Sequence, residues 1–293
     1  MIEIKKTNKI NVDMAQSIRR LESIVSKHDH LRSSMSLEFG MNQLSDMPNT
    51  FLLYDENDLI SVMTIFMPTL KTAEIYAMTH PSYRKLGYFK KLYNEVLKTL
   101  KPYVPLDILF ICESQSRDGL ACLNKLGASF SFTEYSMHYI ATPSNIPKLE
   151  PTDLWVGRAL PLDLEDLVVL SQRIFNNTED DARRLIHKSM SSEHKIQYLA
   201  SLNGIIVGMG AVSLESPSCY IVGIGIDPEY RGRGYGKTLI KKIMIEQIMQ
   251  GNTDLLIEVD SNNDIAYQIY LKTGFTIKVA LGYYKKTYDH YND

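Results

Sequence analysis

The residues best suited to chemistry lie between Cys219 and Gln250. Tyr220-Ile-Val-Gly-Ile-Gly-Ile226 is a short apolar run that stops at Asp227-Pro228, the pattern of a buried strand. Beyond the glycines at 232, 234 and 236, Ile240, Ile243, Met244 and Ile248 recur at helical spacing on one face. The glycines leave main-chain amides uncovered where that helix starts. Unpaired N–H groups, together with about half a unit of positive charge from the aligned peptide dipoles, make such a start an anion site. A phosphorylated ligand is the expected guest.

Two common phosphate loops do not fit. A dinucleotide fingerprint requires glycine where Lys237 stands. A Walker A loop matches at Gly236-Lys237-Thr238 but requires glycine where Arg231 stands. The pattern present is Arg231-x-x-Gly234-x-Gly236, and it resembles the coenzyme A pyrophosphate loop of the GCN5-related N-acetyltransferases (GNAT). A second stretch, Asn263-Asp-Ile-Ala266-Tyr-Gln-Ile-Tyr270 followed by Gly274-Phe275, is similar to that family's Asn-x-x-Ala-x-x-x-Tyr-x-x-x-Gly-Phe. At helical spacing, Ala266 and Tyr270 share one face and Asn263 stands at the helix start, able to cap it or to offer its amide to a ligand.

The resemblance implies an enzyme that moves an acetyl group from acetyl-coenzyme A to a primary amine by direct attack. On this reading main-chain groups of Ile224, Gly225 and Ile226 meet the pantetheine arm, helped by Asn263. The stretch Arg231, Gly232, Arg233, Gly234, Tyr235, Gly236 and Lys237 holds the diphosphate. Donors near Ile226 polarise the carbonyl, and Tyr270 protonates the leaving thiolate. The family's glutamate on the strand before the loop has no counterpart, because Val222 and Gly223 stand there. Glu258 on the next strand is the nearest candidate base, with Glu215 a weaker one. Two other functions remain open: a coenzyme A-binding regulator without turnover, and a Fem-type aminoacyltransferase, which would not require the intact loop.

The positioning elements occur twice. Ala73 to Phe89 aligns with Tyr220 to Gly236 at an offset of 147 residues, and Lys125-Leu-Gly127 aligns with Lys272-Thr-Gly274 at the same offset. A constant offset over two landmarks points to a duplicated domain, residues 1–143 and 152–293. The join falls in the proline-rich Ala141–Asp153. Each copy reads as helices, a hairpin, the motif strand and helix, a further strand and helix, and closing strands. This is an α/β fold of two tandem domains, each a mixed, mostly antiparallel sheet flanked by helices. The first copy has Ser116, Gly119, Leu123 and Phe89 where the second has Asn263, Ala266, Tyr270 and Gly236. Leucine donates no proton and phenylalanine obstructs close main-chain approach, so the active site is expected in the second domain.

Composition narrows the partners. A net charge of −2 argues against nucleic acid as the main partner. The three cysteines, Cys112, Cys122 and Cys219, sit unpaired in apolar runs, which suggests reduced thiols and a cytoplasmic protein. The apolar runs are too short for a signal peptide or a membrane span. His28-Asp-His30 lacks a third metal ligand nearby and reads as a surface turn, so no metal is expected. Lys241 and Lys242 read as a solvated face. The acceptor, a small molecule or a peptide, and the oligomeric state are not legible.

Overall fold

The computed structural model describes residues 2–103, 106–214 and 218–288. The candidate base Glu215 lies outside the described residues. The chain forms two compact units, one of residues up to Glu134 together with those from Val279 onward, the other Tyr135–Lys278.

In chain order the first half contains β1 (Ile2–Thr7), α1 (Val12–Asp29), β2 (Thr50–Asp55), β3 (Asp58–Thr69), β4 (Thr72–Thr79), α2 (Tyr88–Leu100), β5 (Leu106–Glu113), α3 (Arg117–Leu126) and β6 (Ser129–Ile140). β1 to β4 pair antiparallel in sequence, and β4 pairs β5 in parallel. β2 is apolar at successive positions because both of its faces are covered. Phe51 and Leu53 pack with Leu92, Val96 and Leu100 of α2, whereas Leu52 packs with Ile18, Leu21 and Val25 of α1. Asn11 caps α1 by accepting from Met14 N (2.8 Å), as its sequence position implies. β1 was not legible, since alternation at Ile2 and Ile4 is too brief to signal a strand.

The second half contains β7 (Trp155–Arg158), α4 (Leu164–Phe175), α5 (Glu179–Ser191), β8 (Lys195–Leu202), β9 (Ile205–Ser213), β10 (Cys219–Ile226), α6 (Tyr235–Met249), β11 (Asp254–Asp260), α7 (Asp264–Lys272) and β12 (Thr276–Tyr288). β8 and β9 form the expected hairpin, with Asn203 and Gly204 at φ of 49° and 83°. One face of this sheet packs on Leu239, Ile240, Ile243 and Met244 of α6. The other packs on Leu167, Val168, Ala182 and Ile186 of α4 and α5. Burial of each Leu, Ile, Val or Met side chain here contributes about 1.5–3 kcal/mol relative to exposure.

The closing strands depart from the sequence reading, which gives each copy its own. Leu281–Tyr288 of β12 pairs antiparallel with β5 in the first unit. Met137 and Tyr139 of β6 instead enter the core of the second unit, where β6 lies beside β11. The contact boundaries therefore fall after Glu134 and Lys278, not in the Ala141–Asp153 join. That join has no regular structure, and two lysines read as a solvated face hold it. Lys241 Nζ donates to Lys148 O (2.6 Å) and Lys242 Nζ to Leu154 O (2.5 Å). No helix among the described residues is long and apolar enough to cross a membrane.

Candidate functional site

β10 and β11 pair in parallel only at Cys219–Ile221 with Leu255–Ile257. Beyond that point the two strands run on to Ile226 and Asp260 without pairing each other. Against β9, β10 carries a bulge between Val222 and Gly225, with Gly223 at φ of 62°. Gly208 and Gly210 of β9 leave room for the side chains of Ile226 and Ile224, which approach to 2.6 and 2.5 Å of where a Cβ would stand. The C-terminal end of α4 closes over Gly225. A Cβ there would lie 2.4 Å from Ile174 Cγ2 and 3.1 Å from Phe175 Cζ, so any side chain at 225 would force that helix to shift.

The loop that follows is built by its own sequence. Asp227, 3% exposed, accepts Glu229 N (3.0 Å) and caps a single 3-10 turn, Pro228–Tyr230. Arg173 of α4 pairs with the same carboxylate (3.0 Å) and with Glu229 (2.9 Å), tying α4 to the loop. Arg231 Nε donates to Ile226 O (2.9 Å), and the rest of its guanidinium has no protein partner among the described residues. Gly232 and Gly234 take φ of 78° and 82°, and a Cβ at either would meet nothing within 4 Å. The first i to i−4 bond of α6 is Thr238 N to Gly234 O (3.1 Å). The amides of Tyr235, Gly236 and Lys237 therefore precede every intrahelical acceptor. No side chain caps this end. Arg233 lies over the Tyr230 ring at 5.5 Å.

Gly236 is where the elements converge. A Cβ on it would touch Ile269 Cδ1 of α7 at 3.5 Å and Ile226 Cγ1 of β10 at 3.8 Å. The next residue of α7, Tyr270, is 6% exposed, and its ring lies 6.2 Å from that of Phe275. Its hydroxyl hydrogen-bonds no protein group among the described residues. Burial pushes this phenol up to about 12. Asn263 accepts Ala266 N (3.1 Å) as the cap of α7, which spends its carbonyl oxygen and leaves its NH2 group. Glu258 is exposed on β11. Sequence reading missed Arg173, Ile174 and Asp227. An Asp-Pro cap signal marks the last of these, but nothing local marks the two on α4.

The first unit keeps the loop's main chain while altering its side chains. His80 Nδ1 accepts Ser82 N (3.2 Å), as Asp227 accepts Glu229 N. Arg84 Nε donates to Thr79 O (3.1 Å), as Arg231 does to Ile226 O. Gly87 repeats the φ of Gly234 at 83°. Lys85 takes φ of 64° where Gly232 stood, a strain of roughly 1–2 kcal/mol for a residue with a Cβ. The guanidinium of Arg84 is fully committed, to Asp29 (2.6 and 2.9 Å) and to Asp118 (3.0 Å). Asp29 belongs to the His28-Asp-His30 stretch, where it meets His28 Nδ1 (2.6 Å). The two cavities described, of about 500 and 450 Å³, both lie in this unit, and no residue of the sequence-derived site lines either.

Comparison with known proteins gives the family. Residues 163–275 match the model of the acetyltransferase (GNAT) family, a span that holds α4, the loop and α7. An acetyltransferase of Yersinia pestis (strain Pestoides F) is 30% identical over 120 residues, 39% of this chain and 81% of that protein. Among solved structures, a GCN5-related N-acetyltransferase from Sphaerobacter thermophilus is 15% identical, covers 98% of this chain and 95% of its own, and superposes with a TM-score of 0.77. A tandem GNAT protein from the clavulanic acid biosynthesis pathway is 12% identical, covers 98% of each chain and gives 0.70. With a bare glycine loop at the head of α6 and these relatives, the chain belongs to the GNAT family of acetyltransferases.

Proposed function

We propose that the second unit transfers an acetyl group from acetyl-coenzyme A to a primary amine by direct attack. One observation carries this reading: the three unclaimed amides at the head of α6 converge with Ile226 and Ile269 at Gly236. An anion seated on amides 235–237 meets the positive end of α6 and no opposing side chain. Gly232 and Gly234 leave the cradle open, with Arg231 and Lys237 beside it. The bulged end of β10 offers main-chain groups of Ile224, Gly225 and Ile226 to an amide-rich arm. The Asn263 NH2 group is a further donor to that arm.

Bound there, the thioester supplies the activated acetyl carbon. The residues of this chain position and protonate. Donors near Ile226 stabilise the oxygen as the amine nitrogen bonds to carbon. Tyr270 gives its proton to sulfur as the carbon–sulfur bond breaks, and the proton lost by the amine returns through water, with Glu258 as the candidate base. Burial holds this phenol up to about 12, so it is protonated and able to donate at neutral pH.

The test is thiol release from acetyl-coenzyme A in the presence of lysine, spermidine, glucosamine and a peptide with a free N-terminus. Release that depends on one of these amines is the expected result. Tight coenzyme A binding without release from any amine would favour a regulatory binding protein instead.

A further inference from the structure

We infer that the cleft of the first unit is a binding site in its own right, for a small amphipathic anion: an apolar body with a single acidic head group. The inference uses only the first unit and does not depend on the reaction proposed for the second. β4 and β5 pair in parallel from Thr72 with Asp107 to Ile75 with Phe110, and then run on to Thr79 and Glu113 without pairing each other. A cavity of about 500 Å³ opens beyond the last pair, within the range of small-molecule sites. Its walls are predominantly apolar, with Leu31, Met78, Phe89 and Ile111 among them.

Charge sets the second half of the requirement. Three carboxylates line the cleft, and each is hydrogen-bonded within the protein. Asp29 and Asp118 hold Arg84. Glu113, 4% exposed, accepts Arg32 N, Ser33 N, Ser33 Oγ and Gln115 Nε2 at 2.5–2.9 Å, which occupies both of its oxygens. Three lysines, Lys85, Lys90 and Lys125, also line it, all exposed and with no salt bridge among the described residues. Cations without partners around an apolar hollow suit an anionic head on an apolar body.

The same comparison excludes a diphosphate as the preferred head. The second unit frees its arginine and leaves Gly236 bare. Here Arg84 is neutralised by two carboxylates, and Phe89 places an aromatic ring, stacked on Tyr93 at 6.0 Å, where the glycine would be. What remains is room for a chain or ring and a few exposed lysines, a set that accommodates one acidic group.

The experiment is calorimetric titration of the full chain with decanoate, decan-1-ol, decylamine and coenzyme A. Decanoate should bind with one site per chain, at least tenfold more tightly than decylamine. Lys85→Glu with Lys90→Glu, both at exposed positions, should weaken decanoate at least tenfold and leave decan-1-ol unchanged. Ala121→Trp, at an exposed helical position that lines the cleft, should remove decanoate binding. Decanoate affinity unchanged in Ala121→Trp, or decylamine binding more tightly than decanoate, would overturn the inference. So would a second equivalent of coenzyme A that Lys85→Glu with Lys90→Glu abolishes, because the cleft would then be a coenzyme A site.

Discussion

In the second unit Arg231 anchors its Nε on Ile226 O and leaves the rest of its guanidinium without a protein partner. In the first, Arg84 makes the same anchor on Thr79 O and gives the rest to Asp29 and Asp118. The loops around these arginines share their capped 3-10 turn, their positive-φ residues and their helix start. A main-chain shape can thus outlast the side chains that gave it a use. The shape is held by local bonds, a cap two residues away and an Nε contact five residues away, which drift elsewhere does not touch. Its chemistry depends on which side chains lie bare beside it, and those differ.

Replacing Tyr270 gives the largest expected effect. Tyr270→Phe should lower turnover about 10²- to 10⁴-fold, the usual contribution of a positioned acid, with coenzyme A affinity spared. Leu123→Tyr, its counterpart in the first unit, should confer nothing, because the loop there is blocked. The phenol is pushed up to about 12, so it keeps its proton through the alkaline range. A pH–rate profile should therefore show no loss on account of Tyr270 between about pH 7 and 10. A fall in that interval that vanishes in Tyr270→Phe would contradict the role assigned to it.

Exchanging the third loop position tests the comparison next. Gly236→Phe should weaken coenzyme A binding by at least about tenfold through steric exclusion, whereas Phe89→Gly should leave turnover unchanged. Gly236→Ala adds a Cβ at ordinary contact distance, 3.5 Å from Ile269, and should be nearly neutral. Equilibrium binding on the three variants distinguishes these outcomes. Equal affinity in Gly236→Phe would mean that the diphosphate does not sit on this helix start.

Gly225→Ala concerns packing. Its Cβ would stand 2.4 Å from Ile174, so α4 must shift, at a cost of about 1–3 kcal/mol in urea unfolding. A variant as stable as the parent would show that α4 does not press on β10. The smallest expected effect belongs to Asp29. Burial alone would raise its pKa, but hydrogen bonds and charge from Arg84 and His28 outweigh this and hold it below the ordinary 3.8. A carboxyl lowered in the folded state adds stability above its unfolded pKa and loses it as pH falls through the folded value. Acid unfolding below pH 3.8 should therefore be less steep in Arg84→Gln, as measured by circular dichroism.

Much of this was legible before any coordinates. Arg231, Gly234 and Gly236 announce the loop by their spacing, and Gly232 and Gly234 do so physically because their positive φ favours glycine. Asn263 announces the start of α7 because it caps Ala266 N. The lid on Gly225 was not legible, since nothing near Ile174 says that it meets residue 225. Nor was the destiny of Lys241 and Lys242, which look like any solvated pair until the join lies under them.

The division of labour follows range. Residues close in sequence dictate the caps, the glycine loop and the hairpin at Asn203-Gly204, because each rests on bonds that the local chain can make alone. The fold decided the rest. β6 and β12 align at the same offset of 147 residues and carry interchangeable strand patterns, so neither sequence says which sheet it closes. Whether an arginine is free or neutralised depends on a carboxylate 55 residues away, and only packing brings Asp29 to Arg84.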